Sequence, residues 1–164
     1  MSGQLASMET FQVVTFSLMD SQKREEYAIP IEQVREIRAV ESITSIPKTK
    51  SFVKGVMNLR GSIVPVIDVK EKLGLRSDKI TSSKQRILVA EFKENQMGLL
   101  VDEVNEVMRL QAKDIDEGPQ PMSEYQYYLN GIAKVNENLI VLLDVQKLVE
   151  DSADIVNKIQ GDKK

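Results

Sequence analysis

One stretch of this chain occurs twice, and the second copy limits what the chain can fold into. Phe52–Val69 is echoed by Leu129–Val145, with Gly55 13 residues before Asp68 and Gly131 13 residues before Asp144. Between glycine and aspartate, each copy has a β-branched residue, a polar turn and an apolar run ending in Asp-Val. Turn residues Asn58, Arg60 and Gly61, or Asn136, Glu137 and Asn138, flanked by β-rich runs, predict a hairpin. Two such hairpins 76 residues apart point to one small β unit used twice.

The duplication continues upstream. Tyr27–Ile37 parallels Met97–Val107 by residue class, pairing Val34 with Val104, and the apolar runs Val13–Leu18 and Ile87–Phe92 precede them. Each half therefore reads as strand, hairpin, strand, connection and second hairpin. A half of roughly 65 residues is small for an independent core. The expectation is a mainly β chain of two β-barrel lobes, about residues 11–80 and 84–150, packed as one body. The strand near Val13 either completes its own lobe or crosses to the other. Short helices follow Asp68 and Asp144. The second of these opens a terminal helix over Asp144–Ile159, in which Leu148, Val149, Ile155, Val156 and Ile159 keep mostly helical spacing, and residues 151–164 are the end of that helix and a tail.

Composition removes several function classes. Net charge is −3, and the longest uninterrupted apolar run, Leu139–Leu143, is far too short to span a bilayer. Met1–Thr10 lacks the pattern of a secretory leader. These features favour neither nucleic acid nor insertion into a membrane, and a chain without cysteine suits the cytoplasm. Histidine is absent as well, which removes the commonest general base, Ser-His and Cys-His pairs, a phospho-accepting histidine, and thiolate or imidazole metal sites. No Gly-rich phosphate loop appears. No catalytic residue, cofactor or metal is expected.

Two constellations invite a functional reading. Asp68 and Asp144 occupy equivalent places, as a carboxylate pair at a two-fold axis would, but neither carries the Thr-Gly or Ser-Gly that shapes such a loop. The simpler role is to cap the helical turns that follow them, with Gly74 stopping the first. Lys48, Lys50, Lys54 and Arg60 lie near Phe52, as in a small barrel that binds single strands. Four Phe, four Tyr and no Trp supply few stacking platforms for one. Arg60 stands in a turn position usual for Gly or Asn, so its guanidinium is either presented outward or paired across the lobes. Structural and recognition roles are both open to it.

Gly55–Gly61, Ile63–Asp68, Val34–Ile37 and Val101–Val107 together resemble the CheW family, the coupling proteins of bacterial chemotaxis, over about Phe11–Glu150. The resemblance implies two five-stranded SH3-like barrels in pseudo-two-fold relation. It also implies a non-catalytic adaptor joining chemoreceptor tips to the regulatory domain of the CheA histidine kinase, in the cytoplasm at membrane-associated arrays. Carried over residue by residue, a receptor-binding groove between the lobes would include Val34, Gly55, Arg60, Val104 and Val107. Kinase contact would fall on Glu36 and on Ser42, Ile43, Thr44, Ile46 and Pro47. A ring-forming contact of the array would fall on the loop holding Asp116, Pro119 and Pro121. The readings that compete with this one are a CheW-type scaffold in another receptor–kinase pathway, an oligonucleotide-binding barrel and a carboxylate hydrolase.

Overall fold

The repeat is visible in the order of the strands. The computed structural model describes residues 9–21, 23–75, 83–116 and 127–151. Its strands are β1 (Thr10–Asp20), β2 (Lys23–Pro30), β3 (Val34–Ala39), β4 (Val53–Leu59), β5 (Ser62–Asp68), β6 (Arg86–Phe92), β7 (Asn95–Val101), β8 (Glu103–Gln111), β9 (Ile115–Asp116), β10 (Leu129–Val135) and β11 (Asn138–Leu143). A short helix α1 (Val69–Lys72) follows β5, and a helix α2 over 145–151 follows β11. Sheet I has the order β3-β6-β7-β5-β4, and sheet II the order β8-β1-β2-β11-β10-β9. The two orders match strand for strand. Even the two-residue β9 has a counterpart, the isolated Thr44–Val56 bridge on β4.

The sheets do not follow the two sequence halves. Not one but two N-terminal strands cross: β1 and β2 complete sheet II, and in return β6 and β7 complete sheet I. The lobes are therefore not the segments 11–80 and 84–150. The joins are parallel ladders, Tyr27 opposite Val141 and Leu99 opposite Ile67, in which each half's first hairpin pairs with the other half's last. Strands shared in this way are buried on both faces, so β1 and β6 read as near-continuous apolar runs. On β1, Val14, Phe16 and Leu18 enter a central cluster between the sheets, while Val13 packs inside lobe II. On β6, Leu88 and Ala90 face the centre, and Ile87 and Val89 fill lobe I. Full burial of a large side chain such as Phe16, Ile67 or Leu148 stabilises by about 1.5–3 kcal/mol.

Local chemistry sets the remaining geometry. Arg60 and Gly61 both have positive φ, as do Asn136 and Glu137. These are the two-residue turns whose twist matches an antiparallel hairpin. Asp68 accepts bonds from the N–H groups of Lys70 at 3.0 Å and Glu71 at 3.5 Å, and Asp144 accepts from that of Lys147 at 3.1 Å. Both aspartates thus serve as helix N-caps. Gly74, with φ of 74°, ends the first helix. Their own N–H groups bond Phe52 and Tyr128 carbonyls, each at 2.8 Å, repeating one contact in both halves.

The passage from β7 in sheet I to β8 in sheet II takes a single residue, Asp102. Its carboxylate accepts from the Met19 N–H at 2.7 Å and from the buried Lys70 Nζ at 3.2 Å. Removing one member of a buried pair leaves the other charged and desolvated, at a cost of about 3–5 kcal/mol. Asp102→Ala should lower the unfolding free energy by that order in urea titration. Lys70→Met in the same chain should recover most of the loss.

Candidate functional site

A β-bulge decides which side chains of β8 reach the space between the lobes. Val104 lies opposite Phe16 and Val107 opposite Val14, with one residue more on β8 than on β1. The extra residue puts positions three apart on one face. Val104 and Val107 therefore share the central side, whereas Met108 and Leu110 belong to the interior of lobe II. Val104 is half-buried against the central cluster, and Val107 is 52% exposed. Val104 also lines an open cleft of about 930 Å³, together with Met108, Leu139 and Val141.

The matching strand β3 carries a matching bulge. Val34 lies opposite Ala90 and packs against the same central cluster, so the two repeat-related valines approach that cluster from different sheets. Glu36, opposite Val89, turns instead to the interior side of lobe I. Its carboxylate accepts from Arg38 at 3.1 Å and pairs with Arg60 Nη2 at 3.4 Å. The Arg60 side chain is 80% exposed, so the outward alternative holds. Its ion pair lies within lobe I and not across the lobes. The turn beneath it is held by Asn58, whose Oδ1 accepts from the Gly61 N–H at 2.9 Å.

Gly55 has an evident steric role. It is buried, with φ of 146°, and a Cβ there would fall 2.1 Å from the Thr44 carbonyl oxygen. That space lets Thr44 exchange two backbone bonds with Val56, at 2.8 and 2.9 Å, strapping the Ser42–Pro47 segment to β4. Within the strap, Ile43 packs on the lobe I core and Ile46 is half-buried, while Ser42, Thr44 and Pro47 are exposed. Gly55→Ala should cost about 1–3 kcal/mol through backbone strain. Because the strap must shift, hydrogen exchange at the Thr44 and Val56 amides should accelerate.

Asp116 stands exposed on β9 opposite Ile132, while Pro119 and Pro121 lie outside the described residues. Of the four clustered cations, Lys54 reaches Asp68 at 3.6 Å and Arg60 reaches Glu36, so half of the basic group is already neutralised.

A polar cluster not anticipated from the sequence joins the two halves near α2. Lys72, almost fully buried on α1, donates to Asp151 at 2.6 Å, and its ammonium lies 4.0 Å from the Phe52 ring centroid and 4.8 Å from that of Tyr128. The Tyr128 hydroxyl also donates to Asp151. These bonds, first from Lys72 and then from Tyr128, hold the Asp151 carboxyl below its usual pKa. Phe52 and Tyr128 each precede the repeat glycine by three residues, a signal that the sequence does contain.

Two intertwined SH3-like β lobes, with matching bulged strands and matching capped helices, place the chain among duplicated β-barrel modules. The description "CheW-like domain" matches residues 12–153, and the chain belongs to this family. It is 34% identical over 142 residues to the chemotaxis protein CheW of Helicobacter pylori, covering 87% of this chain and 83% of that one. It is 37% identical over 129 residues to the CheW of Klebsiella aerogenes, covering 76% and 75%. The crystal structure of the scaffolding protein TtCheW from Thermoanaerobacter tengcongensis superposes with a TM-score of 0.74 at 34% identity, covering 82% of this chain and 89% of that one.

Proposed function

We propose that this chain is a chemotaxis adaptor that couples the cytoplasmic tips of chemoreceptors to the CheA histidine kinase without catalysing a reaction itself. The observation that carries the reading is family membership across residues 12–153. Two features support it: histidine and cysteine are both missing, and both repeat aspartates serve as helix caps. On this reading the protein works in the cytoplasm and is recruited to receptor arrays. Val34, Val104 and Val107 take the apolar face of a receptor helix, the helix-in-groove mode, with Arg60 at the margin and Gly55 supporting it from beneath. Glu36 and the Ser42–Pro47 strap face the kinase, and the loop beginning at Asp116 makes the ring contact.

A protein without chemistry controls a kinase only by binding its states, or the receptor complex, with unequal affinity. Single contacts of roughly micromolar strength, about −8 kcal/mol, suffice where many copies in an array supply effective concentration. The test is a reconstituted assay of CheA autophosphorylation. The chain alone should transfer no phosphoryl group, and it should change the CheA rate only when receptor is present. Phosphoryl transfer by the isolated chain, or an equal effect without receptor, would overturn the proposal.

A further inference from the structure

The connections that enter β4 and β10 end on the same lysine. The first is pinned to β4 by the Thr44–Val56 bridge and ends in Phe52; the second is pinned to β10 where Asp116 pairs with Ile132, and ends in Tyr128. The anchors are equivalent throughout. Val56 and Ile132 each follow their repeat glycine by one residue, and Phe52 and Tyr128 each precede it by three. The Phe52 and Tyr128 carbonyls each accept from a capping aspartate's N–H at 2.8 Å. Both rings lie against one ammonium, that of Lys72, at 4.0 and 4.8 Å from their centroids, and Asp151 of α2 accepts from it at 2.6 Å.

The fold does not demand a charge at this place. The repeat counterpart of Lys72 is Leu148, fully buried, so an aliphatic side chain fills the equivalent position of the second half. Well-packed apolar residues in place of a buried ion pair are often as stable or more so. What an ammonium does and a leucine cannot is to attract two ring faces and a carboxylate at once. The Asp151 side chain is the open side of the cluster, 46% exposed against 7% for that of Lys72. The lysine is thus held from within by the two anchors and from outside by the end of α2.

We infer that Lys72 is a conformational tie: it makes the seating of Phe52, of Tyr128 and of the end of α2 one event, so that loosening the connection into β4 loosens the connection into β10. The tie stands on this geometry. What it serves rests on the reading given above, in which the Ser42–Pro47 strap faces the kinase and the loop beginning at Asp116 makes the ring contact. On that reading the two contacts are linked, and steadying either one favours the other by the same factor.

The test uses the full chain and amide exchange at two reporters, the Asp68 N–H bound to the Phe52 carbonyl and the Asp144 N–H bound to the Tyr128 carbonyl. Phe52→Leu should quicken exchange at Asp144, in the other half, by about fivefold relative to the β1–β8 ladder, the scale of one cation–π contact. In a Lys72→Met background, Phe52→Leu should leave Asp144 unchanged. Lys72→Met alone should quicken both reporters together and move the melting temperature little, because Asp151 stays solvated. Asp151→Asn, which keeps both rings and the lysine, should also quicken both. An Asp144 amide indifferent to Phe52→Leu, or quickened equally with and without the lysine, overturns the tie. If Lys72→Met fails to fold, Asp151→Asn decides, and unchanged reporters in it overturn the tie. Asp151→Asn should further weaken binding of the CheA regulatory domain by about threefold. Quickened reporters with unchanged CheA affinity keep the tie and remove the kinase from the strap, so that the reading fails and the tie does not.

Discussion

Val107→Arg should abolish receptor binding and leave the protein folded. Val107 is more than half exposed and lies on the central side of β8, so an arginine there stays solvated in the free protein. The melting temperature should move by no more than a degree or two. When an apolar helix face closes over it, that charge must be stripped of water without a partner, at a cost of several kcal/mol. A contact of about −8 kcal/mol cannot absorb such a loss. Val34→Arg and Val104→Arg are less clean, because both side chains pack on the central cluster and a charge there lowers stability as well as binding. Receptor and CheA affinities measured on one preparation of each variant decide the matter. A folded Val107→Arg protein that still binds receptor would refute the groove.

Cutting the chain between the repeats should leave two fragments that do not fold as monomers. A fragment of residues 1–82 holds β1 and β2 of sheet II but β3, β4 and β5 of sheet I, and the remainder holds the complementary sets. Neither fragment can close a sheet, and each would expose its share of the central cluster. Separately, the monomeric fragments should show little strand signal and no cooperative melting. Mixed in equal amounts, they should recover both, together with affinity for CheA. Cooperative unfolding of either monomeric fragment alone would contradict the exchanged sheets. The expected effect is all-or-none, since ordering a half-sheet costs about as much per residue as ordering a whole one without the burial that offsets it.

The repeat made the strands, turns and caps legible. Glycine and aspartate at equal spacing fixed both late hairpins, and Asp68 and Asp144 cap helices as their positions suggested. What the repeat could not disclose is which copy pairs with which. β2 and β7 are equivalent, and a parallel ladder to β11 or to β5 satisfies either of them equally well, so the sequence leaves the partition into lobes open, and Tyr27–Ile37 and Met97–Val107 each divide into two strands of different sheets. The face of each bulged residue was hidden for a related reason. Strict alternation would set Val34 and Ile37, three apart, on opposite faces of β3, and only the ladder to β6 reveals the extra residue that unites them. The Asp102–Lys70 pair joins positions 32 apart in sequence, and nothing local marks either as the other's partner. The Lys72–Phe52–Tyr128 cluster was half visible, since its two aromatics are repeat mates.

The exchanged hairpins carry a consequence for how such a chain diversifies. Two equal halves, each lending a hairpin to the other about a pseudo-two-fold axis, have the geometry of a strand-swapped homodimer whose protomers have been joined end to end. In a true dimer each surface occurs twice, and no substitution can alter one copy alone. Covalent joining lifts that constraint. Arg60 corresponds to Asn136 in the repeat, Lys72 to Leu148, and Asp102 to Glu32; each is a place where the copies have parted while the strand order around them stayed equivalent. A molecule built from one ancestral surface can in this way acquire two different clients, held at an angle set by a one-residue crossing at Asp102 and by a core that belongs to neither half.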